Sequence, residues 1–376
     1  MIKRLRLYPP HKIDICYSNL LSALLPHNQS ANSQFQNSPH CGDETGDVYY
    51  SVRSAWDAFL TAKSFPEGSE VILSAINIPH MAEIVKLHGL RPVFADIDRE
   101  TLLPTLSEIK SKQTKRTVAV LCAHLFGNWS SLAELSSWCQ AQGLILIEDC
   151  AQCFMGKDFA GTSGADLTLF SFGTIKRSTA LGGGVAFVRS LELRQKMLAV
   201  QNGYPQANAS RYRKKALKIA LLKFLCQPFM YAYLVGLIKL LGGNPERVLR
   251  DSVRGFKEAS LLPALRFSPH PKLSAAVFRS WNKSRQQEWL NRGENIFRTD
   301  HQHYKLRTQI AGQGAQLQTH WLIPLVCDQP DDLRSMLRKA QLDATQGITS
   351  LSSLAGRETN TAASLLERIV YYPVTH

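Results

Sequence analysis

The residues best placed to do chemistry lie in two stretches, LILIEDCAQ at 144–152 and LFSFGTIKRSTALGGG at 169–184. In the first, Glu148 and Asp149 follow four apolar residues, so a carboxylate stands at the exit of a buried strand. A charge there is costly unless it meets a positive partner. A protonated ring nitrogen is such a partner; a helix-capping or surface Asp is the ordinary alternative. In the second, Lys176 sits in a short turn just beyond Ser171. A lysine in a dense site loses its proton through desolvation and neighbouring charge, and the neutral amine can attack an aldehyde to form an imine. An isolated lysine is otherwise a solvated surface residue. Here four features are linked: the strand end, a Ser at minus five, a glycine triplet after, and an acidic strand end before. The hydroxyls of Ser171, Ser178 and Thr179 can donate to a phosphate, and Gly182, Gly183 and Gly184 let backbone approach closely. A third stretch, SVRSAWDAF at 51–59, offers Ser54 as a helix N-cap with Ala55 behind it. Amides at a helix start bind phosphate, although a cap with no ligand explains the same residues.

These side chains need a scaffold that brings distant segments to one edge. Short apolar or β-branched runs at 71–76, 92–97, 117–124, 144–148, 167–172 and 184–188 predict strands. Stretches at 54–61, 80–87 and 131–142 between them read as helices. Continuous apolar strands separated by helices imply an α/β fold with a mostly parallel sheet covered on both faces. Ligands collect at the carboxyl ends of such strands, which nominates Asn77, His80, Asp98, His124, Asp149, Gln152 and residues 171–176. With 376 residues, 44% of them hydrophobic, the chain can build one large core and a smaller second domain. Residues 28–47, rich in Asn, Gln, Ser and Gly, predict a loop.

The 44 basic and 30 acidic residues leave a net charge of +14. The charge is spread rather than striped, which argues against nucleic acid and leaves phosphorylated substrates or an anionic membrane surface. The densest cluster, Arg211, Arg213, Lys214, Lys215 and Lys218, runs directly into an apolar stretch. Of eight cysteines only Cys150 and Cys153 lie three apart, with no second pair to complete a zinc site, so no metal is expected. Residues 1–7 are basic but lack an apolar leader, and free thiols in the cytoplasm are the simplest reading.

Taken in order, SVRSAWDAF, EGSEVILSAIN, GLRPVFADID, TVAVLCAHLFGN, LILIEDCAQ, FSFGTIK and LGGG resemble the DegT/DnrJ/EryC1/StrS family of sugar aminotransferases, which have the aspartate aminotransferase fold. The resemblance implies a three-layer sheet and a smaller C-terminal α+β domain. It implies pyridoxal 5′-phosphate as cofactor, with Lys176 forming the Schiff base, Asp149 pairing with the ring nitrogen and Gln152 near the phenolic oxygen. Ser54, Ala55 and Ser171 would bind the phosphate. It also implies a keto-sugar-like substrate, an amino-acid donor and a homodimer. The corresponding segments are 1–47, partly loop; 48–210, the cofactor-binding large domain; 211–255, a basic and apolar helical insert; and 256–376, the small domain. In some relatives histidine replaces the lysine and the enzyme is a dehydratase; the lysine here favours transamination over dehydration or epimerisation, and over a degenerate regulatory paralogue. Two departures stand out. Where the family stacks an aromatic residue on the cofactor, this chain has NIPHM, leaving His80 or Ile78 for that place. The family's GxNxR motif, whose Asn reaches the partner subunit's phosphate, is replaced by ALRFSPHPKLSAA, with Arg266 as a substitute.

Residues 216–243 are long and apolar enough to reach across a bilayer, but Lys218, Lys223, Gln227, Pro228 and Lys239 interrupt them. Pro228 predicts a break into two helices. Helices packed in a soluble dimer, an interfacial anchor and a true span are the three readings. In the interfacial reading the run 211–218 faces anionic head groups, and Phe224, Leu225, Phe229, Tyr231 and Tyr233 supply apolar contact through residues 211–243.

Overall fold

Alternation along the strands decides how the sheet is covered. The computed structural model describes residues 6–25, 38–42, 44–253, 261–283, 308–347, 350–355 and 360–373. In chain order it begins α1 (Tyr17–Leu24), β1 (His40–Cys41), β2 (Glu44–Tyr49), α2 (Val52–Lys63), β3 (Glu70–Ser74), β4 (Ile76–Asn77), α3 (Pro79–Leu87) and β5 (Arg91–Ala95). There follow α4 (Leu106–Lys112), β6 (Thr117–Ala123), β7 (Asn128–Trp129), α5 (Ala133–Gln142), β8 (Ile145–Asp149), β9 (Leu167–Ser171), β10 (Gly184–Val188) and α6 (Leu191–Asn202). Eight strands form one sheet in the order β1-β2-β10-β9-β8-β6-β3-β5. Strands β9, β8, β6, β3 and β5 run parallel, and β10 is antiparallel to β9 and β2. Val71, Leu73, Leu121 and Ile147 pack with α2 and α3, whereas Ile72, Val120, Cys122 and Leu146 pack with α4 and α5. Successive side chains thus enter opposite layers, both apolar, which is the three-layer α/β arrangement expected of such runs.

Beyond the sheet come α7 (Ala209–Leu225), α8 (Pro228–Leu240), α9 (Pro245–Val253), α10 (Leu261–Leu265) and α11 (Pro271–Trp281). The chain then forms a small antiparallel sheet of Gln309–Ile310, Ile323–Val326 and Ile369–Tyr372, with helices Pro330–Lys339 and Asn360–Arg368 beside it, an α+β unit. As predicted, the insert breaks at Pro228, where α7 and α8 bend by 96°. No single described helix is long and apolar enough to cross a membrane.

Two local readings are corrected. The N-cap of α2 is Ser51, whose hydroxyl accepts the Ser54 amide at 3.1 Å; Ser54 lies inside the first turn. Extended geometry at Ser51 lets its side chain fold over the first amides, which a residue already in helical conformation does not do. Of the stretch 28–47 predicted as loop, residues 28–37 and 43 lie outside the described residues, but Glu44–Tyr49 is a strand of the main sheet. Its polar sequence is tolerated because Asp47 forms a two-pronged ion pair with Arg194, at 2.6 and 2.8 Å.

Gly184 marks the tightest join. A Cβ there would lie 2.6 Å from the Val52 amide nitrogen and 2.9 Å from the Ser51 carbonyl carbon, so β10 runs directly against the start of α2. Gly184→Ala should therefore destabilise the fold by about 1–3 kcal/mol in urea unfolding. Gly236→Ala, in open space on α8, should be neutral or slightly stabilising.

Candidate active site

At the carboxyl ends of β8 and β9 a cavity of about 280 Å³ opens beneath the starts of α2, α3 and α7. Because β8 and β9 are parallel neighbours, with Asp149 opposite Leu169, the residues leaving both strands arrive at the same edge. Lys176, Asp149, Gln152, Ser171 and His80 all line this cavity.

Lys176 stands in a turn fastened from several directions. The amides of Ala180 and Gly182 and the Thr179 hydroxyl all donate to the Phe172 carbonyl. The Ser178 amide donates to Asp14 at 2.9 Å, Arg177 to the His320 carbonyl at 2.8 Å, and the Trp321 indole to the Ile175 carbonyl at 3.0 Å. The Lys176 ammonium lies over the Trp321 ring, 4.4 Å from its centroid. Burial pulls its pKa down to about 8; Asp149 opposes the shift and Arg53 adds to it.

The adjacent carboxylates have opposite fates. Glu148 points away from the cavity and accepts from His124 and Trp129 at 2.8 Å each, and from the Thr162 amide and hydroxyl at 2.6 and 3.0 Å. Burial pushes its pKa up, but these bonds outweigh burial and hold it below the usual carboxylate range. Although His124, Glu148 and Cys150 lie close enough to share an ion, the Glu148 oxygens are already taken. Asp149 accepts the Ala151 amide at 2.9 Å and faces the cavity. Burial raises its pKa, only partly offset by that amide, Lys176 and His124. Gln152 accepts the Phe126 amide through Oε1, which orients its side chain along the wall. His80 meets Arg53, Nδ1 to Nη1, at 2.8 Å.

Other candidates are placed elsewhere. Ser54 and Ala55 do not line the cavity; the Ser54 hydroxyl donates to the Leu265 carbonyl, and the Ser54 and Ala55 amides bond Ser51. Ser51, Val52 and Arg53 take their place on the wall. Ser178 and Thr179 fasten the lysine turn instead. Asp98 closes its own turn by accepting the Glu100 and Thr101 amides, and His124 serves Glu148. Arg266, the expected substitute for the missing Asn, is bound to buried Asp57 through two bonds of 3.1 Å. Gly184 makes room for α2, and a Cβ on Gly183 would meet Val277 at 2.5 Å, so these glycines serve packing.

Sequence reasoning missed Trp321, Arg53, Arg211 and Lys215, all on the cavity wall. The last two had a signal: positions 211 and 215 are four apart, on one helical face, within a run assigned wholly to the exterior. Trp321 had none, because it arrives from the far side of the chain.

Residues 40–222 match the sequence model of the DegT/DnrJ/EryC1/StrS aminotransferase family. The chain is 32% identical over 155 residues to a GDP-perosamine synthase of Escherichia coli O157:H7, a match covering 39% of this chain and 42% of that protein. It is 30% identical over 173 residues to a dTDP-4-dehydro-2,3,6-trideoxy-D-glucose 4-aminotransferase of Saccharopolyspora spinosa, covering 45% and 44%. The matched stretch thus spans less than half the length of either relative. The fold extends further: a Helicobacter pylori aminotransferase involved in pseudoaminic acid biosynthesis superposes with a TM-score of 0.67, over 98% of this chain and 94% of that one, at 14% identity. Residues 40–222 are thus similar to the DegT/DnrJ/EryC1/StrS aminotransferase family, and the likeness of fold extends across the rest of the chain.

Proposed function

We propose that the chain is a pyridoxal 5′-phosphate-dependent aminotransferase that delivers an amino group to a keto group of an activated sugar, nucleotide- or lipid-linked, or of a related metabolite. The observation that carries this reading is the convergence of the Lys176 amine and the Asp149 carboxylate on one cavity. The wall fits the cofactor by its chemistry: a buried carboxylate whose ionised form wants a cation, a lysine whose proton is loosely held, and a helix start facing the same space. When bound, the cofactor supplies an aldehyde and an electron-accepting ring. Asp149 holds a proton at the ring nitrogen by ion pairing. Gln152 would lie near the ring's phenolic oxygen and Ser171 would bind the phosphate, both from the cavity wall. Lys176 would hold the cofactor through its amine and, when free, would carry a proton to and from the substrate carbon. Residues 48–210 are read as the cofactor-binding domain and 256–376 as the small domain. An amino-acid donor, a homodimer and a cytoplasmic location complete the reading, supported by the similarity of residues 40–222 to that family.

We also read the insert as a peripheral membrane contact. On α7, Leu217, Leu221 and Phe224 are 63, 58 and 51% exposed; on α8, Phe229, Tyr233, Leu237 and Leu240 are 49, 53, 55 and 84% exposed. These side chains recur at helical spacing, and Arg213, Lys214 and Lys218 are exposed on the same α7 helix, which favours an anionic lipid surface over a neutral partner. Tyr231 is corrected: it is buried, its hydroxyl donating to Asp343 at 2.6 Å. Lys215 is corrected likewise, since it is only partly exposed and lines the cavity, whereas Arg211 is exposed at the cavity's edge.

Borohydride reduction in the presence of pyridoxal 5′-phosphate should label Lys176 in peptide mapping. The neutral amine gains population as pH rises through the folded pKa, so labelling of cofactor-free protein at limiting aldehyde should rise with a midpoint near 8 rather than near the ordinary 10.5. A label on Lys157, or a midpoint at the ordinary value, overturns the assignment. Asp149→Asn should keep the cofactor yet lose most of the absorbance change that glutamate or another amino donor causes in the wild type, by about a hundredfold in rate. Wild-type rates in Asp149→Asn, with loss in Glu148→Gln, would name the other carboxylate. Sedimentation with phosphatidylserine liposomes should show binding at low salt that weakens as salt rises. A folded preparation that stays in the supernatant at low salt removes the membrane contact.

A further inference from the structure

The cavity that holds Lys176 carries far more positive than negative charge. Among the described residues Arg53, Lys176, Arg211 and Lys215 line it, against Asp149 as the one acidic residue. Lys176 and Asp149 offset one another, which leaves Arg53, Arg211 and Lys215 around the mouth of the α2 helix. Lys215 is the least expected of them. It comes from the insert, yet its ammonium sits 3.8 Å from where a Cβ on Gly182 would lie, beside the glycine triplet that packs against the start of α2. Among the described residues no carboxylate or hydrogen-bond acceptor meets this ammonium. Burial, with Arg53 and Lys218 adding to it rather than opposing it, lowers its pKa to about 8. An ammonium enclosed without an anion beside an arginine is unfavourable by itself, and an anion placed between them relieves both desolvation and repulsion. Two helix starts add to the field, since Ser51, Val52 and Arg53 of α2 and Ala207, Asn208 and Arg211 at the head of α7 all face the same space.

We infer that Lys215, with Arg53 and the first turn of α2, forms a phosphate-binding corner that the insert completes from within the same chain. It serves where Arg266 does not, since Asp57 holds the Arg266 guanidinium. The phosphate is either the monoester of the cofactor or the diphosphate of an activated sugar; the inference rests on the proposed aminotransferase reading for both identities. Arg211 is the outer member, its guanidinium 5.5 Å from the Phe267 ring centroid. Lys215 is a binding residue here and takes no part in bond making.

The test compares wild type with Lys215→Gln, Lys215→Arg and the exposed neighbour Lys214→Gln, with a thermal melt to confirm folding. Dissociation constants for pyridoxal 5′-phosphate and for pyridoxal are read from quenching of tryptophan fluorescence. Protection of Lys176 from borohydride labelling by GDP, dTDP or UDP is read separately. If the corner holds the cofactor, Lys215→Gln should cut the preference for the phosphorylated form by about tenfold or more, with pyridoxal itself unaffected. If it holds the sugar diphosphate, that preference should stay intact, and the nucleotide concentration needed for protection should rise by a similar factor. Lys215→Arg should retain most of either effect, and Lys214→Gln should match wild type. A folded Lys215→Gln that matches wild type in both measurements overturns the inference. Wild type that fails to label Lys176 at all instead overturns the aminotransferase reading, which Lys215 substitutions do not touch.

Discussion

Holding an ionisable amine beside one carboxylate, inside a wall that is otherwise positive, is the constraint around which this part of the chain is arranged. An isolated buried charge is too costly to keep, so either the amine gives up its proton or it finds an anion. Asp149 supplies the anion without fully restoring the ordinary lysine pKa, because burial, and to a lesser extent Arg53, works against it. The result is an amine with a proton that can leave. The turn cannot relax away from this compromise, since its carbonyls and amides are tied to Phe172, Asp14, His320 and Trp321. Behind Trp321, His11 packs edge-on at 5.9 Å, and burial lowers its pKa to about 4, so it adds no further positive charge near neutrality.

The neighbouring carboxylates show how strand geometry divides labour. Side chains at successive positions leave opposite faces. One face of β8 offers Glu148 four donors and no access to the cavity, so it is a structural anchor for the separate segments carrying His124, Trp129 and Thr162. The other face offers Asp149 a single amide and an open wall. A carboxylate raised by burial and left partly unsatisfied fits a cationic partner that is not part of the protein.

Much of this was legible in the sequence because it follows from local rules. Apolar runs broken by helices produced the sheet, and a carboxylate or lysine just past such a run had to reach its edge. Pro228 broke the insert because a proline ring cannot continue a helix. What was hidden depended on pairing between distant segments. Asp47 looked like loop until Arg194 neutralised it. The cap could not be assigned between Ser51 and Ser54 without backbone angles, because both serines precede the same apolar stripe. Trp321 reaches Lys176 only through the fold of the small domain. A basic run, read as a charge density, does not say that one of its members, Lys215, turns inward.

That last difference follows from α7 serving three environments at once. At 3.6 residues per turn, positions 211 and 215 share one face, 216 and 219 another, and 217, 221 and 224 a third. In the structure these are the cavity, the core against α1 and the exposed apolar stripe, respectively. Ala216 and Ile219 are fully buried, so the helix is locked in rotation by packing and not by either of its polar or exposed faces. Turning it by one residue, about 100°, in the sense that carries the cavity face onto the core would bury a lysine there. The core face therefore sets where Lys215 points, and it equally sets which leucines stand outward. Whatever covers the outer stripe meets a surface whose orientation is already fixed by the same residues that aim an ammonium at the site.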